Sequence, residues 1–280
     1  MDQPLSNEQG HSLIRHEPGV PVFRAMNSAG TWALYCKEVR RFFKVQLQTI
    51  WAPSVTTILY LIVFALALGG SRRMVLGVPF TDFIAPGLIA MGMINASFAN
   101  ASFPLLTGKL QGTIVDYLMP PFSTMELMGA LVAASVTRAV LVGIVLWLVM
   151  QAMPGLHVMP VHVWAIAWFG LLGTIFIAFL GLLTSIWADK FDHAAAVTNF
   201  VVAPLSLLSG TFYSVDRLTP VFQAISHANP FFYIISGFRY GFLSAADTHV
   251  GTGALALLAM TVALGGVTYS VLRSGWKIKA

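Results

Sequence analysis

Long apolar runs constrain this chain more than any other feature. Roughly Ile50–Gly69, Phe83–Leu106, Leu127–Met150, Val163–Trp187, Ala194–Gly210 and Ala254–Leu272 each approach the ~20 residues that a helix needs to cross hydrocarbon. Only 10% of the 280 residues are charged and 57% are hydrophobic. A soluble domain carries about 25% charged residues, so water cannot be the solvent for this surface. Lipid offers no hydrogen bonds, and each run must satisfy its own backbone as a helix. Barrel strands would instead read as alternating segments of about ten residues. The fold class expected is an all-α membrane protein with six transmembrane helices.

Charge orients the spans. Arg15, Arg24, Lys37, Arg40, Arg41 and Lys44 precede the first span. Lys109 joins the second to the third, Lys190 joins the fourth to the fifth, and Arg273, Lys277 and Lys279 follow the sixth. Six crossings put all of these on one side and leave Arg72, Arg73, Arg217 and Arg239 on the other. An excess of Lys and Arg marks the cytoplasmic side. Both termini are therefore expected in the cytosol, with the chain in the cytoplasmic (inner) membrane. The net charge of +5 is read as topology and contact with anionic lipid, and no nucleic acid partner is expected.

Residues 1–30 are polar, contain Pro18 and Pro21, and lack the apolar core of a signal peptide. A partly disordered cytosolic tail is expected there, followed by one transmembrane domain over 31–280. Within 31–48, at about 100° per residue, Trp32, Tyr35, Val39, Phe42, Phe43 and Leu47 share one arc. Lys37, Arg40, Arg41 and Lys44 share another. This is the pattern of an interfacial helix, with rings in the acyl boundary and cations at the headgroups. A plain positive-inside flank carries the same charges.

The polar residues inside the spans are few. Asn95 and Asn100 interrupt the second span and are expected to face other helices. Arg138 lies about three turns into the third span. A charge there is a functional candidate by default, with a pathway or helix-pairing role weighed against snorkelling to the cytosolic side. No nucleotide motif is present: Gly108-Lys109 is followed by Leu110, and position 103 is Phe, so the phosphate-loop pattern fails twice. Cys36 is alone. Asp189, Asp192 and His193 cluster in a short loop but lack further ligands for a metal. No catalytic residue, cofactor or metal is expected in this chain.

Two connecting stretches stand out. Residues 107–121 are too polar to span, and Gln111–Leu118 is amphipathic and ends at Pro120-Pro121. Ser123 and Glu126 then form a capping box for the third span. A short helix held between two spans can transmit force to a cytosolic partner; the alternative is a plain loop. Residues 211–247 fall on the outer side yet are rich in Phe, Tyr, Ile and Leu. Gly and Pro break them at Pro220, Pro230, Gly237 and Gly241. Two short helices dipping into the outer leaflet would bury the rings. One further span over Val221–Phe242 would move Arg273, Lys277 and Lys279 outside, against the charge count. Arg217 and Arg239, with Asp216, are expected as headgroup contacts or mutual partners.

These stretches carry a resemblance. PLSLLSGTFYS at 204–214, then HANP and ISGFRYGFL, is similar to a segment of the ABC-2 type transport permeases. GTIVDYL with its following Pro-Pro resembles the coupling segment of that family, with Asp116 where Glu is usual. The subgroup it looks like includes permeases of nodulation-factor exporters, and the likeness runs over roughly Trp32–Trp276. The resemblance implies six spans, an N-terminal interfacial helix (Trp32, Tyr35, Lys37, Arg40, Arg41, Phe43, Lys44), and a coupling helix after span two. It also implies re-entrant outer helices containing Phe212, Tyr213, Arg217, Asn229, Pro230, Phe231, Phe232, Arg239 and Tyr240. Lys109, Gln111, Gly112, Thr113, Asp116, Tyr117 and Leu118 would meet a separate ATPase. Two permeases would pair and bind two such ATPases, which hold the ATP and magnesium, and the cargo would be an amphipathic lipid, lipid-linked saccharide or hydrophobic drug.

An ion-coupled carrier is the first alternative, but that class buries acids near the midplane and none sits there. A membrane-embedded lipid-modifying enzyme is the second, and it would need convergent His or carboxylate residues.

Overall fold

The computed structural model describes residues 27–68, 74–153, 156, 158–215 and 218–278. Most of the expected N-terminal tail, Gly69 at the end of the first predicted span, Arg72, Arg73, Asp216, Arg217 and Lys279 lie outside the described residues.

Among the described residues six helices are long and apolar enough to cross a membrane: Leu47–Ala67, Phe80–Leu110, Thr124–Gln151, Val163–Trp187, Phe191–Leu208 and Val250–Ser274. Helix α1 (Ser28–Lys44) precedes them. Span one is a wide π turn (Leu47–Trp51) running into α2 (Ala52–Leu68). Span two is α3 (Phe80–Ser102) continued by α4 (Pro104–Leu110), and the single turn α5 (Val115–Leu118) follows it. Spans three and four are α6 (Thr124–Gln151) and α7 (Val163–Trp187). Span five is α8 (Phe191–Val197), a second π turn (Thr198–Val202) and α9 (Ala203–Leu208). Helices α10 (Pro220–Ala228) and α11 (Pro230–Leu243) then lead to span six, α12 (Val250–Ser274).

Span two is the centre of the bundle. In its most apolar window 83% of residues are buried, against 22%, 17% and 22% for spans one, five and six. Its most extensive neighbours are α7 and α6. Small residues let the backbones approach: a Cβ on Gly143 would sit 2.7 Å from Met93 Sδ, and one on Gly181 would sit 2.7 Å from Ala101 Cβ. Without water to drive association, such close packing is what holds helices together in lipid.

Prolines explain the irregular turns. Pro53 and Pro204 each stand shortly past a π turn. Proline donates no N–H and its ring crowds the carbonyl four residues back, so the ladder widens just before each one. Pro104 breaks span two between α3 and α4 in the same way. The capping box at the start of span three forms: Ser123 N donates to Glu126 Oε2 at 2.7 Å and Glu126 N donates to Ser123 Oγ at 3.2 Å.

One feature lies outside the sequence expectation. A small antiparallel hairpin, β1 (Met74–Val75) with β2 (Val78–Pro79), joins spans one and two. Leu76 and Gly77 turn it with φ of 49° and 79°, the positive-φ pair that suits a two-residue hairpin loop. The stretch Val221–Phe242 is two short helices, as expected, and not the one further span that was the alternative. Asn229-Pro230 divides it, and the Asn229 side chain caps α11 by accepting from Phe231 N at 3.0 Å. With fourteen residues, α11 is about 21 Å long, short of the ~30 Å of a hydrocarbon core.

Candidate functional site

The segment after span two divides into an exposed edge and one buried anchor. Gln111, Gly112, Thr113, Asp116 and Leu118 are exposed, and Gly112 turns the chain with φ of 72°. Tyr117 points inward and is 7% exposed. Its hydroxyl donates to Glu38 Oε1 of α1 at 2.8 Å, and Lys37 Nζ lies 4.3 Å from its ring centroid. Burial first, then the neighbouring Glu38 carboxylate, pushes the Tyr117 phenol well above its ordinary range. Lys109, placed with this segment by the sequence, is turned away from the edge. It donates to Ile186 O at 2.7 Å and to Ala188 O, tying the end of span two to the end of span four. A cation at a helix C-terminus satisfies carbonyls that have no intrahelical donor.

Helix α1 lies against α6, and its buried residues Leu34, Glu38 and Phe42 succeed one another every fourth residue. This corrects the arc expected to lie in lipid, because Phe42 is 1% exposed. Trp32 and Phe43 remain exposed, as do Lys37, Arg40 and Lys44. Tyr35 stacks on Trp32 at 5.2 Å and bonds Thr137 Oγ1 at 3.0 Å. Glu38, which the sequence pattern does not single out because it interrupts a cationic arc, is 1% exposed.

From Glu38 a polar chain runs into the bundle. Glu38 Oε2 lies 3.0 Å from Arg41 Nη2, a charge contact out of hydrogen-bond alignment. Arg41 Nη2 donates to Asn100 O at 3.2 Å, and Asn100 Nδ2 donates to Ser135 Oγ of span three at 3.2 Å. Arg138 Nη2 donates to Thr49 O of span one at 3.1 Å. Both carbonyls share a cause. In a regular helix residue 53 would donate to Thr49 O and residue 104 to Asn100 O, and both positions are proline. An arginine from another helix supplies each missing donor, as an apolar solvent requires. Arg138 is thus 8% exposed and pairs helices rather than snorkelling to the surface. Asn95, half-buried, faces the same region. Counting four residues back from each proline is the signal that would have flagged these two carbonyls, though not the arginines that reach them.

The segment between spans five and six holds a polar knot. Arg239 is fully buried, its Nη1 2.8 Å from Asp247 Oδ2 and its Nη2 donating to Gly210 O at 2.6 Å. Its guanidinium lies 4.0 Å from the Phe83 ring centroid. Ser214 Oγ donates to Asp247 Oδ1, and Asp247 N donates to Ser236 Oγ at 3.1 Å. The headgroup contact expected of Arg239 is replaced by this internal ion pair, because Asp247 returns to it just before span six; the expected partner Asp216 lies outside the described residues. Asn229 Nδ2 donates to Leu205 O at 2.8 Å and Ser209 Oγ at 2.9 Å. Phe231 and Phe232 are buried, Pro230 and Tyr213 half-buried, Phe212 packs on Phe64 at 4.1 Å, and Tyr240 stacks on His162 at 4.7 Å. Helix α10 instead exposes Val221, Phe222 and Ile225.

The loop after span four is held by charge. Lys277 Nζ reaches Asp189 Oδ2 at 2.7 Å and Trp187 O at 3.1 Å. Asp189 N donates to His193 Nδ1 at 3.3 Å.

Comparison with known proteins agrees with this architecture. The family model described as "ABC-2 type transporter" matches residues 29–243. The "Inner membrane transport permease YadH" of Escherichia coli K12 is 34% identical over 246 residues, covering 87% of this chain and 94% of that protein. "Nodulation protein J" of Sinorhizobium fredii is 24% identical over 78% of this chain and 84% of its own length. "Nodulation protein J" of Rhizobium leguminosarum bv. viciae is 26% identical over 74% and 80%. The match embraces the buried Tyr117–Glu38 contact, both arginine-capped carbonyls and Arg239, and the chain belongs to the ABC-2 type transporter family as a membrane-spanning permease.

Proposed function

We propose that this permease is the membrane half of an ATP-driven exporter in the inner membrane, with both termini cytosolic. In this reading two copies pair and two separate ATPase subunits bind at the exposed edge of 111–118, supplying ATP and magnesium. The observation that carries the reading is the chain from Tyr117 through Glu38 and Arg41 to Asn100. It gives a displacement of the α5 turn a polar route into spans two and three. A docked motor that closes on ATP would bias two arrangements of this chain, the ordinary logic of a switch driven by a distant ligand. Spans one, five and six are sparsely buried, leaving apolar faces for the second permease and for lipid. The cargo class is an amphiphile, since the interior combines apolar walls with a few polar residues near the cytosolic end.

The test is pairing. Asp116, exposed at the edge, should tolerate Asp116→Lys with normal membrane insertion, while the partner ATPase no longer co-purifies. Undiminished pairing in that variant removes the 111–118 edge from the interface.

A further inference from the structure

One charge beside the polar chain that starts at Glu38 has no counterion among the described residues. Glu38 offsets Arg41, but Arg138 makes no ion pair among the described residues and its Nε has no hydrogen-bond partner. Removing a cation from water without a partner is costly, and such charges within spans mark ligand pathways. Arg138 lines an open cleft of about 550 Å³, bounded by the elbow between α1 and span one, by span two, and by the π turn of span five. Arg41, Gln48, Asn95 and Asn100 line it too, and among the described residues no Asp or Glu does. Val45, Pro53 and Phe103 form its apolar side. The cleft is therefore cationic and rich in hydrogen-bond donors at one part, apolar at another.

We infer that this cleft binds the anionic headgroup, a phosphate or carboxylate, of a membrane amphiphile whose tail lies along Val45, Pro53 and Phe103. Arginine suits this role because its planar fork bonds such oxygens in pairs and stays charged in an apolar setting. The inference deepens the exporter reading by giving the sign of the cargo's charge. It rests on that reading for movement across the membrane, not for binding.

The experiment titrates the full-length permease, held in phosphatidylcholine nanodiscs, with a fluorescent lysophosphatidic acid and with the matching lysophosphatidylcholine. The anion should bind about tenfold more tightly, the effect of one charge-assisted contact. Arg138→Gln should reduce it to the level of the zwitterion and Arg138→Lys should keep most of it. Asn95→Asp places a negative charge on the wall without touching the Arg138–Thr49 bond, and should also erase the preference. Arg273→Gln, exposed at the end of span six, should change nothing. Equal affinity for the two probes overturns the inference, and so does an Asn95→Asp variant that binds the anion as its parent does. Reconstitution with the partner ATPase then separates two sources of the headgroup. ATP-dependent appearance of the anion in the far leaflet identifies cargo; a bound but unmoved anion during ATP turnover identifies a resident lipid. If no ATPase pairs with the chain the exporter reading falls, while the binding result is decided by the nanodisc titration alone.

Discussion

Tyr117→Phe isolates the contact that the proposed coupling would use. The substitution removes one hydroxyl and keeps the ring, so the Lys37 contact at 4.3 Å persists. The lost bond ends on Glu38, and the two residues are 7% and 1% exposed, so water does not readily replace the donor. Hydrogen bonds to charged groups contribute about 1.5–3 kcal/mol, which sets the expected loss near 2 kcal/mol. On the docking of α5 against α1 that is on the order of a thirtyfold shift. Thermal unfolding in detergent measures the stability term, and a double-mutant cycle with Glu38→Ala assigns it to the pair. A coupling energy above ~1 kcal/mol is expected for two groups in direct contact. Reconstituted with the ATPase, the variant should still pair but move less cargo per ATP hydrolysed. A coupling energy near zero, or an unchanged ratio of transport to hydrolysis, would refute the claim that this bond carries the movement.

Three further outcomes follow from the packing and the charges. Gly237→Ala places a Cβ 2.3 Å from Phe169 Cδ1 and should cost about 1–3 kcal/mol by overpacking, whereas Gly129→Ala, which meets open space, should gain up to ~1 kcal/mol of helix propensity; paired melting curves check both. Asp247→Asn leaves Arg239 buried without its counterion and should destabilise by about 3–5 kcal/mol. The double variant Arg239→Met with Asp247→Leu should recover most of that loss in the same assay. The Asp189 carboxyl is held below its ordinary value of 3.8, first by its hydrogen bond from Lys277. A depressed folded pKa means the contact is complete above the unfolded value and lost as pH falls through the folded one. Fluorescence of Trp187 and Trp276 should therefore hold steady down to about pH 4 and change only below it, with Asp189→Asn removing that step.

Apolar length alone locates all six spans, because a bilayer tests helices by length and composition rather than by packing. The structure extends the predicted starts by a few residues, from Ile50 to Leu47, Phe83 to Phe80 and Ala254 to Val250, since helices project beyond the hydrocarbon they cross. The exposed edge Gln111–Leu118 and the capping box are legible because each is local in sequence. Glu38 is not, because its contact with Tyr117 exists only once α1 folds back beside α5. The partner of Arg239 is hidden for a related reason. A topology count treats every cation as surface charge, and nothing in the residues around Arg239 announces Asp247 as its counterion. The roles of Arg41 and Arg138 lie half in view: the prolines at 53 and 104 predict two carbonyls lacking donors, but not which side chains arrive to supply them.

The wide turn at Leu47–Trp51 also governs what the chain can tolerate over evolutionary time. It holds one more residue per turn than its surroundings, so deleting a single residue there would restore a regular spiral. Because the wide turn takes up its extra residue, that deletion would leave Arg41 and Glu38 close to their present phase with Asn100 and Tyr117, whereas losing a residue from the regular spiral of α2 would rotate everything upstream by about 100°. The elbow is thus the place where a change of length can be absorbed. Relatives one residue shorter at the elbow should keep their acidic and basic residues at the same places along the preceding helix.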